Sequence, residues 1–117
     1  MQRTDFDRWS CPTQKAVELI GDKWTLFVVR EFIFGKPTMG FNEILRVLKP
    51  ISSRTLALKL HKLEQYQMVR KEIIQKKPLR IHYHITEKGL ALKNCMVDLA
   101  QWYNENSKPL NVYKLSR

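Results

Sequence analysis

With 117 residues, 44% of them hydrophobic, and a formal charge of +10, the chain is long enough for one packed core and too short for two. That composition excludes a disordered polymer, and no apolar run approaches the roughly 18 residues a membrane span requires. So large a positive excess points to a polyanion as partner, nucleic acid ahead of an anionic membrane surface.

The first residues, MQRTDFDRWSCPTQ, alternate charge and polarity without an apolar stretch, so no secretory signal is expected. Cys11 and Cys95 lie 84 positions apart without metal-ligand spacing and make no disulfide framework. The expectation is a soluble, cytoplasmic protein with reduced thiols. Pro12 opens the first helix at the position where its missing N–H costs nothing; Ala16, Val17 and Ile20 form an apolar face, and Gly21 ends it. Asp22 caps the second helix, whose body from Trp24 to Phe34 is apolar almost all round and is expected to be buried on most sides. Trp24, Phe27, Phe32 and Phe34 are assigned to the core, and Gly35 with Pro37 stops the helix.

Phe41, Ile44, Leu45 and Leu48 recur at helical spacing, which predicts a short amphipathic helix ended by Pro50. Ser52 is a good N-cap for the next helix, which runs to Gln65. Leu56, Leu60 and Leu63 line its inner face, and Arg54, Leu58 and His61 the opposite one. Met68 to Ile74 and Leu79 to Ile85 read as a β-hairpin joined by Gln75 to Pro78. Thr86 then caps a final helix with a stripe of Leu92, Cys95, Met96, Leu99, Trp102 and Tyr103. The charge is concentrated in the middle: between Arg46 and Arg80 ten Lys and Arg face only Glu64 and Glu72, so that stretch holds +8 of the +10. Two short amphipathic segments, a tight turn and a basic hairpin are the parts that place one helix in a DNA groove.

In order and spacing, Cys11-Pro12, Ile20-Gly-Asp-Lys-Trp24, Phe41-Asn-Glu-Ile44, Ile51-Ser52, Leu56, Leu60-x-x-Leu63-Glu64, Val69, Arg80-Ile-x-Tyr83 and Ile85-Thr-Glu-Lys-Gly89 resemble the HxlR family of winged-helix transcriptional regulators, relatives of the MarR group. The likeness runs over roughly residues 9 to 103. It implies a mainly α fold with a small β-hairpin wing (α+β): one winged helix-turn-helix domain, with extra dimerisation helices at the N- and C-terminal ends. Its core spans about 22–86, the dimerisation helices 9–21 and 87–105, and a tail 106–117. It also implies a homodimer on operator DNA. Three departures stand out: Gln67 replaces a usual Gly, so the turn after the recognition helix is expected to differ locally; Lys76-Lys77 tip the wing; and His82 and His84 are unusual there.

For DNA contact the candidates are Ser52, Ser53, Arg54, Thr55, Leu58, Lys59, Lys62, Lys76, Lys77 and Arg80. Arg54 has the reach for guanine, Ser53 and Thr55 for phosphate or base edges, and Leu58 for a thymine methyl. Lys59 and Lys62 suit phosphate, and the wing lysines suit backbone or minor groove. The plainer alternative is a solvated helix face and a hairpin kept soluble by lysines; the agreement of the hairpin with the location of the charge favours DNA contact. Cys11 has two readings, an oxidant or electrophile sensor, as the resemblance implies, or an inert buried thiol. Cys95 on the last helix fits a resolving partner across a dimer and a plain core thiol equally well. His82 and His84 read as a polar strand face, since no third metal ligand stands nearby in sequence. Leu92, Met96, Leu99, Trp102 and Tyr103 form an apolar stripe that fits an isologous dimer contact.

No catalytic set, glycine-rich phosphate loop, metal site or cofactor motif emerges, so an enzyme is not expected. The leading expectation is a dimeric, sequence-specific regulator of transcription on double-stranded DNA, repressing by default. No membrane partner is expected, and a small-molecule or oxidant effector is compatible with it. Its rivals are a non-sequence-specific architectural nucleic-acid-binding protein and a protein-interaction module.

Overall fold

A computed structural model describes residues 11–107. In chain order it shows α1 (Pro12–Ile20), α2 (Lys23–Arg30), β1 (Thr38–Gly40), α3 (Phe41–Val47), α4 (Ser53–Gln65), β2 (Val69–Lys76), β3 (Leu79–Ile85), α5 (Glu87–Leu90) and α6 (Lys93–Asn106). Thirteen apolar residues drawn from α2 through β3 make one buried cluster, with Val28, Phe32, Ile44, Leu56, Leu60 and Leu63 at or below 1% exposure.

Local chemistry sets most element ends. Asp22 accepts the Thr25 N–H at 3.1 Å and caps α2. Burial opposes the charged form of Asp22, but hydrogen bonds from Thr25, Lys59 and Lys62 outweigh it and hold the carboxyl well below the usual range. After Arg30 the helix widens into a π turn over Glu31–Gly35, where the Lys36 N–H reaches the Glu31 carbonyl at 3.1 Å. That turn carries Phe34 out to 52% exposure, against its expected place in the core.

The sheet has three antiparallel strands in the order β1-β3-β2. β1 went unforeseen because three residues between Pro37 and a helix start are too few for an alternating pattern to register. The hairpin ladder also runs further than expected: Lys76 pairs with Leu79, and the irregularity between Ile73 and Gln75 absorbs one residue as a bulge.

Gln67 sits at φ 61, so the turn keeps the left-handed geometry that the substitution had been expected to alter. The Met68 N–H bonds the Leu63 carbonyl at 2.8 Å, and the Gln67 N–H bonds that of Glu64 at 2.9 Å, a complete Schellman closure of α4. Met68 and Leu63 are both buried, which supplies the apolar contact of that motif.

The last helix is two helices, not one. Thr86 does cap, accepting the Gly89 N–H at 3.2 Å, but the Leu92 N–H bonds Gly89 at i−3 and the chain turns before α6. Gly89 is required there, because a Cβ would stand 2.5 Å from the Met68 carbonyl oxygen. α6 ends at Asn106, the first residue of the expected tail; most of that tail, like residues 9 and 10, lies outside the described residues.

Candidate nucleic-acid interface

The rotation of α4 is set from inside. Leu56, Leu60 and Leu63 are anchored in the core, which turns Ser53, Arg54, Ala57, Leu58 and His61 outward. Leu58 is 61% exposed on that face. Ser52 and Thr55 serve the helix start: the Thr55 N–H donates to Ser52 Oγ at 3.0 Å, and the Ser52 hydroxyl donates to Thr55 Oγ1 at 2.9 Å. Their positioning role leaves Ser53, Arg54, Ala57 and Leu58 as the outward side chains of the first two turns.

Lys59 and Lys62 point elsewhere. Their ammonium groups lie 3.0 and 3.1 Å from the two carboxylate oxygens of Asp22. Expected as phosphate contacts, they instead tie α4 to the start of α2. Spacing along the helix could not show this, because the acid lies 40 residues before Lys62, at the start of another helix.

The wing completes the surface. Every residue from Arg70 to Arg80 is exposed. Gln75 braces the tip by donating from Nε2 to the Lys77 carbonyl at 3.0 Å. Among the described residues, Arg54, Lys76, Lys77 and Arg80 have no acidic partner within ion-pair distance. Asn42 at the start of α3, Ala57 on α4, and Leu79, Arg80 and His82 on β3 line one open groove. It is a trough between the outward helix and the wing, edged by donors, and it suits a sugar–phosphate strand. Glu43 also lines it, but a bond from Lys36 and one from the Gly40 N–H occupy its carboxylate; the Lys36 bond chiefly holds it below the usual carboxylate range. Asn42 and His82 were not among the candidates for this groove, since nothing in the sequence shows that the start of α3 and this stretch of β3 line one surface.

His84 takes no part in the groove. Its Nδ1 meets Thr38 Oγ1 and its Nε2 meets Glu72 Oε1, each at 2.8 Å, so one imidazole joins all three strands. With both ring nitrogens engaged it is not poised to bind a metal beside His82, and no group of three ligating side chains gathers among the described residues.

The terminal helices present apolar surface. Leu92 and Met96 pack partly on the core, whereas Leu99, Trp102 and Tyr103 are 54–61% exposed, as is Val17 on α1 at 58%. Cys11 is buried at the N-cap of α1, and Cys95 is exposed on α6. No helix among the described residues is long and apolar enough to cross a membrane.

A helix pair whose second member stands outward beside a basic hairpin defines the winged helix-turn-helix class of DNA-binding proteins. The HxlR-like helix-turn-helix family model matches residues 19–111, and the chain belongs to that family. It is 32% identical over 96 residues to the HTH-type transcriptional regulator YvaP of Bacillus subtilis, covering 81% of this chain and 87% of that one. The reduced form of the regulator YodB from B. subtilis superposes with a TM-score of 0.73 at 29% identity, covering 85% of this chain and 96% of that one. The redox regulator HypR in its reduced form superposes at 0.74 and 29%, covering 87% and 99%. The family and its named relatives are DNA-binding regulators of transcription, a class that is generally not enzymatic.

Proposed function

We propose that this chain is a homodimeric repressor that binds a pseudo-palindromic operator and acts by covering a promoter. The observation that carries the reading is the outward first half of α4, with Ser53, Arg54 and Leu58, beside the cationic wing across one groove. Arg54 would read guanine and Leu58 a thymine methyl, while Lys76, Lys77 and Arg80 grip phosphate. The apolar faces of α1 and α6, joined to a second copy, would set two recognition helices one DNA turn apart, about 34–36 Å. Selection of a site from random duplexes, then salt-matched binding to that site and a scrambled one, tests it. A regulator prefers its site by at least about a thousandfold. Near-equal binding would instead establish the architectural reading.

Control by an oxidant or electrophile is the second part of the proposal. It draws on Cys11 at a helix start and on the redox character named for HypR. Treatment with diamide or a quinone should release wild-type protein from its site and leave Cys11→Ser bound. Equal responses would remove Cys11 from the role.

A further inference from the structure

One flank of the wing carries more apolar surface than a solvated strand needs. Cross-strand partners share a face, so the pairs Lys71–Tyr83, Ile73–Ile81 and Lys76–Leu79 put Ile73, Ile81 and Leu79 in line with the buried Tyr83. Near Tyr83 that face is core. Further out it continues into solvent, with Ile73 at 52% and Leu79 at 63% exposure. Leu79 also lies in the wall of the groove that Ala57 of α4 shares.

Two further observations say what would cover it. Lys71 and Lys76 share this face by the same pairing, Lys77 and Arg80 adjoin Leu79 on the exposed end of the wing, and the one acid of the hairpin, Glu72, is engaged by His84 at 2.8 Å. An apolar protein surface has no use for four cations around its contact, whereas a duplex groove offers phosphates at its rims and base edges on its floor. In addition, Leu79 is presented by paired backbone next to a tip braced by Gln75, so an exposed leucine is held forward. Apolar side chains held this way enter the minor groove and part a base step.

We propose that the wing is a wedge as well as a clamp: Leu79, backed by Ile73, enters the minor groove beside the site read by α4, partly unstacks one base step and bends the duplex. This rests on the regulator reading above and adds to it. Specificity then extends to a step that no side chain reads by hydrogen bonding. A flexible pyrimidine–purine step such as TA at that position binds better than a stiff one, because it unstacks at lower cost.

The experiment uses the full chain and a duplex carrying its selected site, with a fluorescent base analogue at the step under the wing and dyes at the two ends. Wild-type protein brightens the analogue, shortens the end-to-end distance, and prefers TA to a G·C-rich step by roughly tenfold, the scale of one altered base pair. Leu79→Ala melts like wild type and still selects the same central bases. It leaves the analogue dark and the duplex straight, and its step preference falls to about twofold or less. Lys77→Ala weakens binding but keeps the brightening. A wild-type complex with a preferred site but a straight, stacked duplex overturns the wedge alone, as does Leu79→Ala bending DNA as fully as wild type. Absence of any preferred site in wild type defeats the regulator reading itself.

Discussion

Gln67 holds a left-handed backbone conformation that an L side chain occupies at a cost of about 1–2 kcal/mol, and two Schellman bonds hold it there. Gln67→Gly relieves that strain and loses some of the gain to the greater freedom of glycine when unfolded. The net expectation is about 0.5–1 kcal/mol of added stability in urea denaturation; a destabilised variant would show that the Gln side chain holds the turn in some other way. Asp22 separates into two parts that one substitution can divide. Asn caps a helix as well as Asp, so Asp22→Asn keeps the cap and removes the charge shared by Lys59 and Lys62. Because the folded carboxyl titrates below its ordinary value near 3.8, its stabilisation is present above that value and is lost as pH falls below it. Wild type should therefore exceed the variant at neutral pH, and the gap should close on acidification; parallel curves down to pH about 2 would mean the ion pairs contribute nothing. Arg54→Ala belongs to the same scale. A loss of roughly 1–3 kcal/mol with relaxed preference at one base pair is expected, and uniform weakening on all sequences would reassign Arg54 to phosphate.

At the scale of elements, the N-caps at Asp22, Ser52 and Thr86 were legible because a cap is made within three residues. The π turn after α2, the strand β1 and the division between α5 and α6 were not. Two of them depend on a partner far along the chain, β1 on β3 and the α5 turn on the Met68 carbonyl against Gly89, whereas the π turn is a local widening closed by the Lys36 N–H on the Glu31 carbonyl. The apolar stripe of α6 was visible as a period, yet only its first turns touch this chain's core. Leu99→Glu together with Trp102→Glu should leave helix content intact, since both side chains are more than half exposed, and yield monomers in sedimentation at micromolar concentration. A double variant that still sediments as a dimer would move the interface elsewhere.

For the whole molecule, net charge overstates the binding face. Of the ten cations between Arg46 and Arg80, Lys59 and Lys62 share the half-buried Asp22 carboxylate, and the wing lysines stand free of acids among the described residues. Lys77→Ala should weaken every duplex alike and reduce the salt-dependence slope by about one unit, whereas an unchanged slope would place the wing off the DNA.

The sequence by itself determined the run of helices and hairpin, the caps, the inner faces and the family, because these follow from spacing and chemistry within a few residues. Only the tertiary structure decided which cations face outward and that Asn42, Arg80 and His82 share one groove with α4. It also gave His84, on the expected polar strand face, a clasp to Thr38 and Glu72 across all three strands. Those outcomes depend on where distant segments meet, and side-chain contacts across the fold have no period to read.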